Sequence, residues 1–248
     1  MIRARFVPTL ILLALAAPLQ AADHAAVLDW SGRVSLTLSV SGVLDQVPAR
    51  AGQVVKKGEL LASLEPTLFK AAVAENRADL DRLTEEHADA KRDLERVQEL
   101  YNRTVSATTE LDAAKLRFAR AQAGLAATQA RLEKARRLLA ESELRAPFDA
   151  VVLSRHGEPG LVITSQCQPA AVFSVARADE LIARAQVDGN QAAGVKLGGD
   201  TEILAAGKTL NGRVVGLVAQ TEGRYAIEVA VPRREGLLAG QPATIRLP

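Results

Sequence analysis

Between Pro66 and Pro147 the chain contains one glycine, Gly124, and no other proline. A stretch this long without breakers is committed to helix or to nothing, and its apolar residues keep a seven-residue beat. In the first part Val73, Leu80, His87, Leu94 and Tyr101 recur, with Asn76, Leu83, Ala90, Val97 and Thr104 offset by three. In the second part Leu111, Phe118, Leu125, Leu132 and Leu139 recur, with Ala114, Ala121, Thr128, Ala135 and Ser142 as companions. Heptads flanked by charges such as Arg92, Glu95, Lys115 and Arg131 predict two paired helices, a hairpin over residues 66–143. Pro66 suits a first helical turn, where its missing N–H is harmless. In the connecting NRTVSATTE, Ser106, Thr108 and Thr109 are expected to cap the second helix. At 1.5 Å per residue such arms extend about 55 Å.

The flanks of this hairpin have another character. GQVVKKGELLASLEP, Gly52 to Pro66, is too short to complete a sandwich of strands. LRAPFDAVVLSRHGEPGLVITSQCQPAAVFSV, Leu144 to Val175, supplies further short runs bounded by Pro, Gly and Asp. Residues 42–65 and 144–176 therefore read as two halves of one small β-sandwich, with the hairpin inserted between them. Gly42, Gly52, Gly58 and Gly160 are expected at turns that need positive φ. Beyond residue 176, runs at Ala183–Val187, Glu202–Ala206, Gly212–Val218 and Tyr225–Val231 between Gly-rich turns predict a small barrel over 177–248. A strand from residues 33–40 is expected to join that barrel, and a helix over Asn190–Leu197 to close one end. The fold class is mainly β with a long α-helical hairpin.

Residues 1–22 read as a signal peptide: Arg3 and Arg5, an apolar run from Phe6 to Leu19, then small residues for cleavage near Ala21 or Ala22. That places the mature protein in the periplasm, associated with the envelope. The chain has 31 basic and 29 acidic residues, and two arginines leave with the leader, so nothing points to nucleic acid. Cys167 is the single cysteine, which excludes an internal disulfide and reads as a small apolar residue. Three histidines, at 24, 87 and 156, form no catalytic constellation, and His87 falls on the apolar stripe as a packing residue. Met1 is the only methionine, which argues against thioether ligation of a soft metal. No metal and no cofactor is expected.

Taken together, SGVLDQVPARAGQVVKKGELLASLEP before the hairpin and LRAPFDAVV…GEPG after it resemble the membrane fusion proteins (HlyD-like), the periplasmic adaptors of tripartite efflux and secretion systems. The tail, ending LLAGQPATIRL, resembles that family's β-barrel. The resemblance implies a lipoyl-like barrel-sandwich hybrid and a hairpin tip that meets a TolC-like outer-membrane channel. It also implies an arginine, a leucine and a serine around the tip, carried here by Arg96, Leu100 and Ser106. The chain is one residue shorter between leucine and serine than the family pattern, and Ala150 replaces the usual glycine after APFD. Read without the resemblance, these three residues are an exposed charge, a packing residue beside Tyr101 and a helix cap. The family's further membrane-proximal domain is not expected, because the chain ends at Pro248.

The implied function is a non-enzymatic adaptor linking an inner-membrane transporter, of the resistance-nodulation-division (RND) type by preference, to the channel as a homo-oligomeric trimer or hexamer ring. An ABC-type secretion adaptor and an envelope scaffold without a transport role share the same features. A lipoyl or biotinyl carrier would need its lysine at the turn that holds the hairpin here, and Lys56 and Lys57 lie at another turn.

Overall fold

The computed structural model describes residues 22–165 and 170–247. The predicted leader, apart from Ala22, and Cys167 lie outside the described residues. The chain forms two compact units, one from Gly32 to Asp179 and the other from the described residues up to Ser31 together with Glu180 onward. No helix among the described residues is long and apolar enough to cross a membrane.

Strand β1 (Ala22–Trp30) belongs to the second unit, and the next eight strands build the first. These are β2 (Val34–Leu36), β3 (Gly42–Gln46), β4 (Val54–Val55) and β5 (Leu60–Leu64), then β6 (Glu143–Arg145), β7 (Ala150–Arg155), β8 (Val162–Ile163) and β9 (Phe173–Arg177). They form two four-stranded sheets, ordered β2-β9-β7-β4 and β6-β5-β3-β8. Neither half of the sequence could form these sheets alone. Val54 pairs with Val151, Gly42 with Ile163 and Ser63 with Glu143, so partners lie on opposite sides of the helical insertion. The core mixes them again: Leu44, Val55, Leu61 and Leu64 pack with Ile163, Val172, Phe173 and Val175, each almost fully buried.

Two expectations are corrected here. The strand around residues 33–40 is part of the sandwich, not of the barrel. Val34 pairs with Val175, and Leu38 and Val40 are buried in the sandwich core. Gly42 is not a positive-φ turn residue but lies within β3, where a Cβ would stand 3.0 Å from Leu64 Cδ1. Close approach is its constraint. Gly52, Gly58 and Gly160 adopt φ of +84°, +83° and +89°.

Helices α1 (Thr67–Asn102) and α2 (Thr108–Glu141) form the inserted hairpin. Ala90 of α1 and Leu111, Ala114, Ala121, Thr128, Leu132 and Ala135 of α2 are buried along the seam. Small residues at alternate seam positions of α2 let the helices approach closely. His87 stacks against Phe118, ring centroids 5.1 Å apart. The stripe runs out earlier than the heptads predict: α1 ends at Asn102, Tyr101 is 37% exposed, and Thr104 lies beyond the helix. At the base, Phe69 and Leu138 pack on the sandwich core, so both arms are seated on it.

The second unit is a closed barrel. Besides β1 it contains β10 (Glu180–Asp188), β11 (Asp200–Ala205), β12 (Lys208–Ala219), β13 (Arg224–Pro232) and β14 (Pro242–Leu247), in the order β1-β10-β13-β12-β11-β14. β1 completes the ring by pairing with β10 on one edge and β14 on the other. It alternates as a barrel strand should, with Ala26 and Leu28 buried and Val27 52% exposed. Two arginines tie each a strand to both neighbours: Arg184 on β10 bonds Asp29 and Glu228, and Arg246 on β14 bonds Asp23 and Glu202. The expected helix over 190–197 shrinks to one turn, α3 (Gly189–Ala192), whose Gln191 side chain accepts from the Asp188 N–H. Gly194, Gly198 and Gly199 follow within a turn or two, and glycine disfavours continuation.

Candidate docking site at the hairpin tip

The tip begins where α1 stops. The N–H of Thr104 donates to the carbonyl of Tyr101, and that of Val105 to the carbonyl of Leu100 at 3.0 Å. This paired closure is a Schellman motif, which requires a left-handed residue at the position of Thr104. Thr104 indeed has φ 61°, a conformation that β-branched residues avoid. Val105, next in the chain, is 72% exposed. The result is a tight, blunt end carrying an uncovered apolar side chain.

The three residues assigned to the tip are placed differently from one another. Leu100 is half-buried, while its neighbour Tyr101 is exposed. This reverses the order expected from the heptads. Ser106 is not the helix cap: Ala107, in extended conformation, precedes α2 without a side-chain capping bond. The Ser106 hydroxyl donates instead to the Glu110 carboxylate one turn into α2. Neither Thr108 nor Thr109 caps, because both already lie inside the helix. Arg96 is six positions before the end of α1, about 9 Å down the helix axis. The hairpin thus carries Leu100 and Ser106 at its end and sets Arg96 about one and two-thirds turns below.

Arg96 bonds the carboxylate of Asp93, which also accepts from Arg117 Nη1 of α2 at 2.6 Å. Sequence reasoning passed over Asp93 and Arg117. The only signal was an Asp–Arg pair at helical spacing, and the cross-helix member lies 24 positions away.

At the opposite end of the hairpin, Asp149 of the APFD segment holds the two sandwich halves together. Its carboxylate accepts from the Lys57 N–H and from Lys56 Nζ, both at 2.9 Å. The Lys57 N–H first, and the Lys56 ammonium second, hold the Asp149 carboxyl below the usual carboxylate range. Lys56 is correspondingly raised by the same pairing. This lysine is committed to a structural clamp. Among the described residues no group of three or more His, Cys, Asp or Glu gathers to hold a metal.

A barrel-sandwich split by a helical hairpin and followed by a closed barrel is the architecture of the membrane fusion proteins, the periplasmic adaptors. Residues 33–177 match the family described as "CzcB-like, barrel-sandwich hybrid domain", more than half of the chain, and the chain belongs to that family. It is 29% identical over 219 residues to nodulation protein NolF of Rhizobium meliloti, covering 86% of this chain and 59% of NolF. It is 31% identical over 157 residues to multidrug resistance protein MdtA of Cronobacter turicensis, covering 59% of this chain and 38% of MdtA. The chain therefore spans less than two thirds of the length of these relatives. The fold is shared with the membrane fusion protein Spr0693 of Streptococcus pneumoniae, at TM-score 0.70 and 10% identity, covering 92% of this chain and 99% of that one. It is shared also with a MacA–MexA chimera carrying the Pseudomonas aeruginosa MexA hairpin, at TM-score 0.69 and 20% identity, covering 92% and 82%.

Proposed function

We propose that this protein is a non-enzymatic periplasmic adaptor of a tripartite efflux system, joining an inner-membrane transporter of the RND type to a TolC-like outer-membrane channel. The observation that carries the reading is the hairpin itself. Both arms are seated on the sandwich by Phe69 and Leu138, and the free end presents Val105, Ser106 and Leu100 roughly 54 Å away. A coiled-coil tip can enter grooves between helices of a channel without chemistry, and copies arranged in a ring multiply a weak contact into avidity. Relatives named for multidrug resistance support export as the task. Periplasmic residence follows from the basic, apolar and small-residue pattern of residues 1–22.

Arg96→Glu in the full chain tests it. The residue is exposed, and an exposed ion pair contributes only about 0–1 kcal/mol to stability, so the melting temperature should hardly move. Co-purification with the channel and efflux from cells should both be lost. Normal efflux at normal protein levels would overturn the docking role of the tip.

A further inference from the structure

The pairing of Arg96 leaves an imbalance. Asp93, with its side chain 20% exposed, accepts hydrogen bonds from Arg96 one turn on in α1 and from Arg117 Nη1 in α2. One carboxylate therefore serves two guanidinium groups, and the three residues together carry a net positive charge. Arg120 lies one turn beyond Arg117 on the same flank of α2, with no hydrogen bond or ion pair among the described residues. Of the neighbouring acids, Asp89 bonds Arg92, Glu95 bonds Lys91 and Glu99 bonds Arg103, while Glu110 accepts from the uncharged Ser106 hydroxyl.

The two arginines are also only partly used. Each guanidinium has five N–H donors, and each gives one to Asp93. Their side chains are 67% and 65% exposed, so the remaining donors face solvent. Holding two planar forks against one carboxylate removes rotamer freedom before any partner arrives, which is the arrangement that favours bidentate capture of a second carboxylate. Ion pairs whose arginines are this exposed stabilise a hairpin little.

We propose that Arg96 and Arg117 form one recognition site for an Asp or Glu carboxylate on the docked channel, with Asp93 as the positioning residue that fixes both guanidinium groups. The inference rests on the tip-docking reading and adds to it a contact residue on the second helix. The site reads the partner from the flank of the hairpin, roughly 9 Å below its end.

Binding of the full-length protein to a purified TolC-like channel in detergent, measured at low and moderate salt beside thermal melting, tests this. Arg96→Ala and Arg117→Ala should each weaken binding by at least about tenfold without changing the melting temperature. The double variant should lose less than the product of the two, because both arginines serve one acceptor. Asp93→Asn separates positioning from bulk charge. Removing the negative charge between the two arginines would strengthen nonspecific attraction to an acidic partner, whereas loss of positioning weakens binding. Weaker binding by Asp93→Asn supports the site; unchanged or tighter binding overturns the positioning role. If Arg96→Ala weakens binding while Arg117→Ala binds like the parent, the two-arginine site is wrong and tip docking stands. If neither variant weakens binding, this site is wrong, and tip docking then stands or falls with Val105→Asp, which should abolish binding if the free end docks.

Discussion

Thr104 holds a conformation that costs a non-glycine residue about 1–2 kcal/mol, yet it closes the Schellman turn on which the tip depends. Asparagine tolerates φ near +60° better and keeps a side chain, so Thr104→Asn should stabilise the end of α1 by about 1 kcal/mol. Hydrogen exchange at the Thr104 and Val105 amides should slow by about fivefold, with amides in the barrel unaffected. Unchanged exchange would mean that the left-handed turn stores no strain. Nothing in NRTVSATTE announced this turn. The residue type that usually marks it is glycine, and the seven-residue beat ran on through Tyr101 and Thr104 after the helix had stopped. Asp93 and Asp149 were equally silent in the sequence. Each acts through partners 24 and about 92 positions away, and only folding brings those together. Arg96 was found through resemblance alone, since its spacing reads equally well as an ordinary solvated face.

At the level of elements, the hairpin was legible because a heptad repeat is a local signal, long enough to outweigh any single misleading residue. The split sandwich was legible as two halves, but the assignment of strands near residues 33–40 was not. Edge strands of three residues carry no periodicity, and β1 was masked by its position directly after a leader-like run. Pairing explains why the insertion is tolerated. Ser63 of β5 pairs with Glu143 of β6, so the entire hairpin replaces the turn between two adjacent antiparallel strands. Replacing Thr67–Glu141 by Asn-Gly should therefore leave a folded sandwich. Shortening the connection between β5 and β6 by roughly four halvings lowers the closure cost by about 2.4 kcal/mol. Losing the cover of Phe69 and Leu138 removes roughly the same amount. Urea unfolding of the shortened protein should stay cooperative with near-parental stability, and its NMR spectrum should keep dispersed β-type amides. Collapse of that dispersion would show that the sandwich needs the hairpin to fold.

The same device recurs at the scale of the whole chain. Trp30 of β1 pairs with Leu181 of β10, so Gly32–Asp179, sandwich and hairpin together, likewise replaces the turn between two adjacent antiparallel strands of the barrel. The chain is nested along its sequence: the hairpin is inserted into the sandwich's chain and the sandwich into the barrel's chain, each where a β-hairpin would otherwise turn. This nesting returns the chain to its starting strand after each excursion, so every layer closes its own hydrophobic core. The barrel core draws on Leu28, Leu181, Ile203, Ile227, Val229 and Ile245, all from its own strands. It predicts that the outer layer survives removal of everything inside it. Joining Ser31 to Glu180 through a two-residue Asn-Gly turn should give a six-stranded barrel with an intact core, because the deleted residues contribute no strand to it. Shortening that connection lowers the closure cost by about 0.6 kcal/mol per halving, so the excised barrel should unfold in one cooperative step and no less steeply than a domain of its size. Binding to a TolC-like channel should vanish, since the tip is gone. A molten product, with strand-like circular dichroism but no dispersed amide signals, would mean that β1 depends on the inserted layers to find its place between β10 and β14.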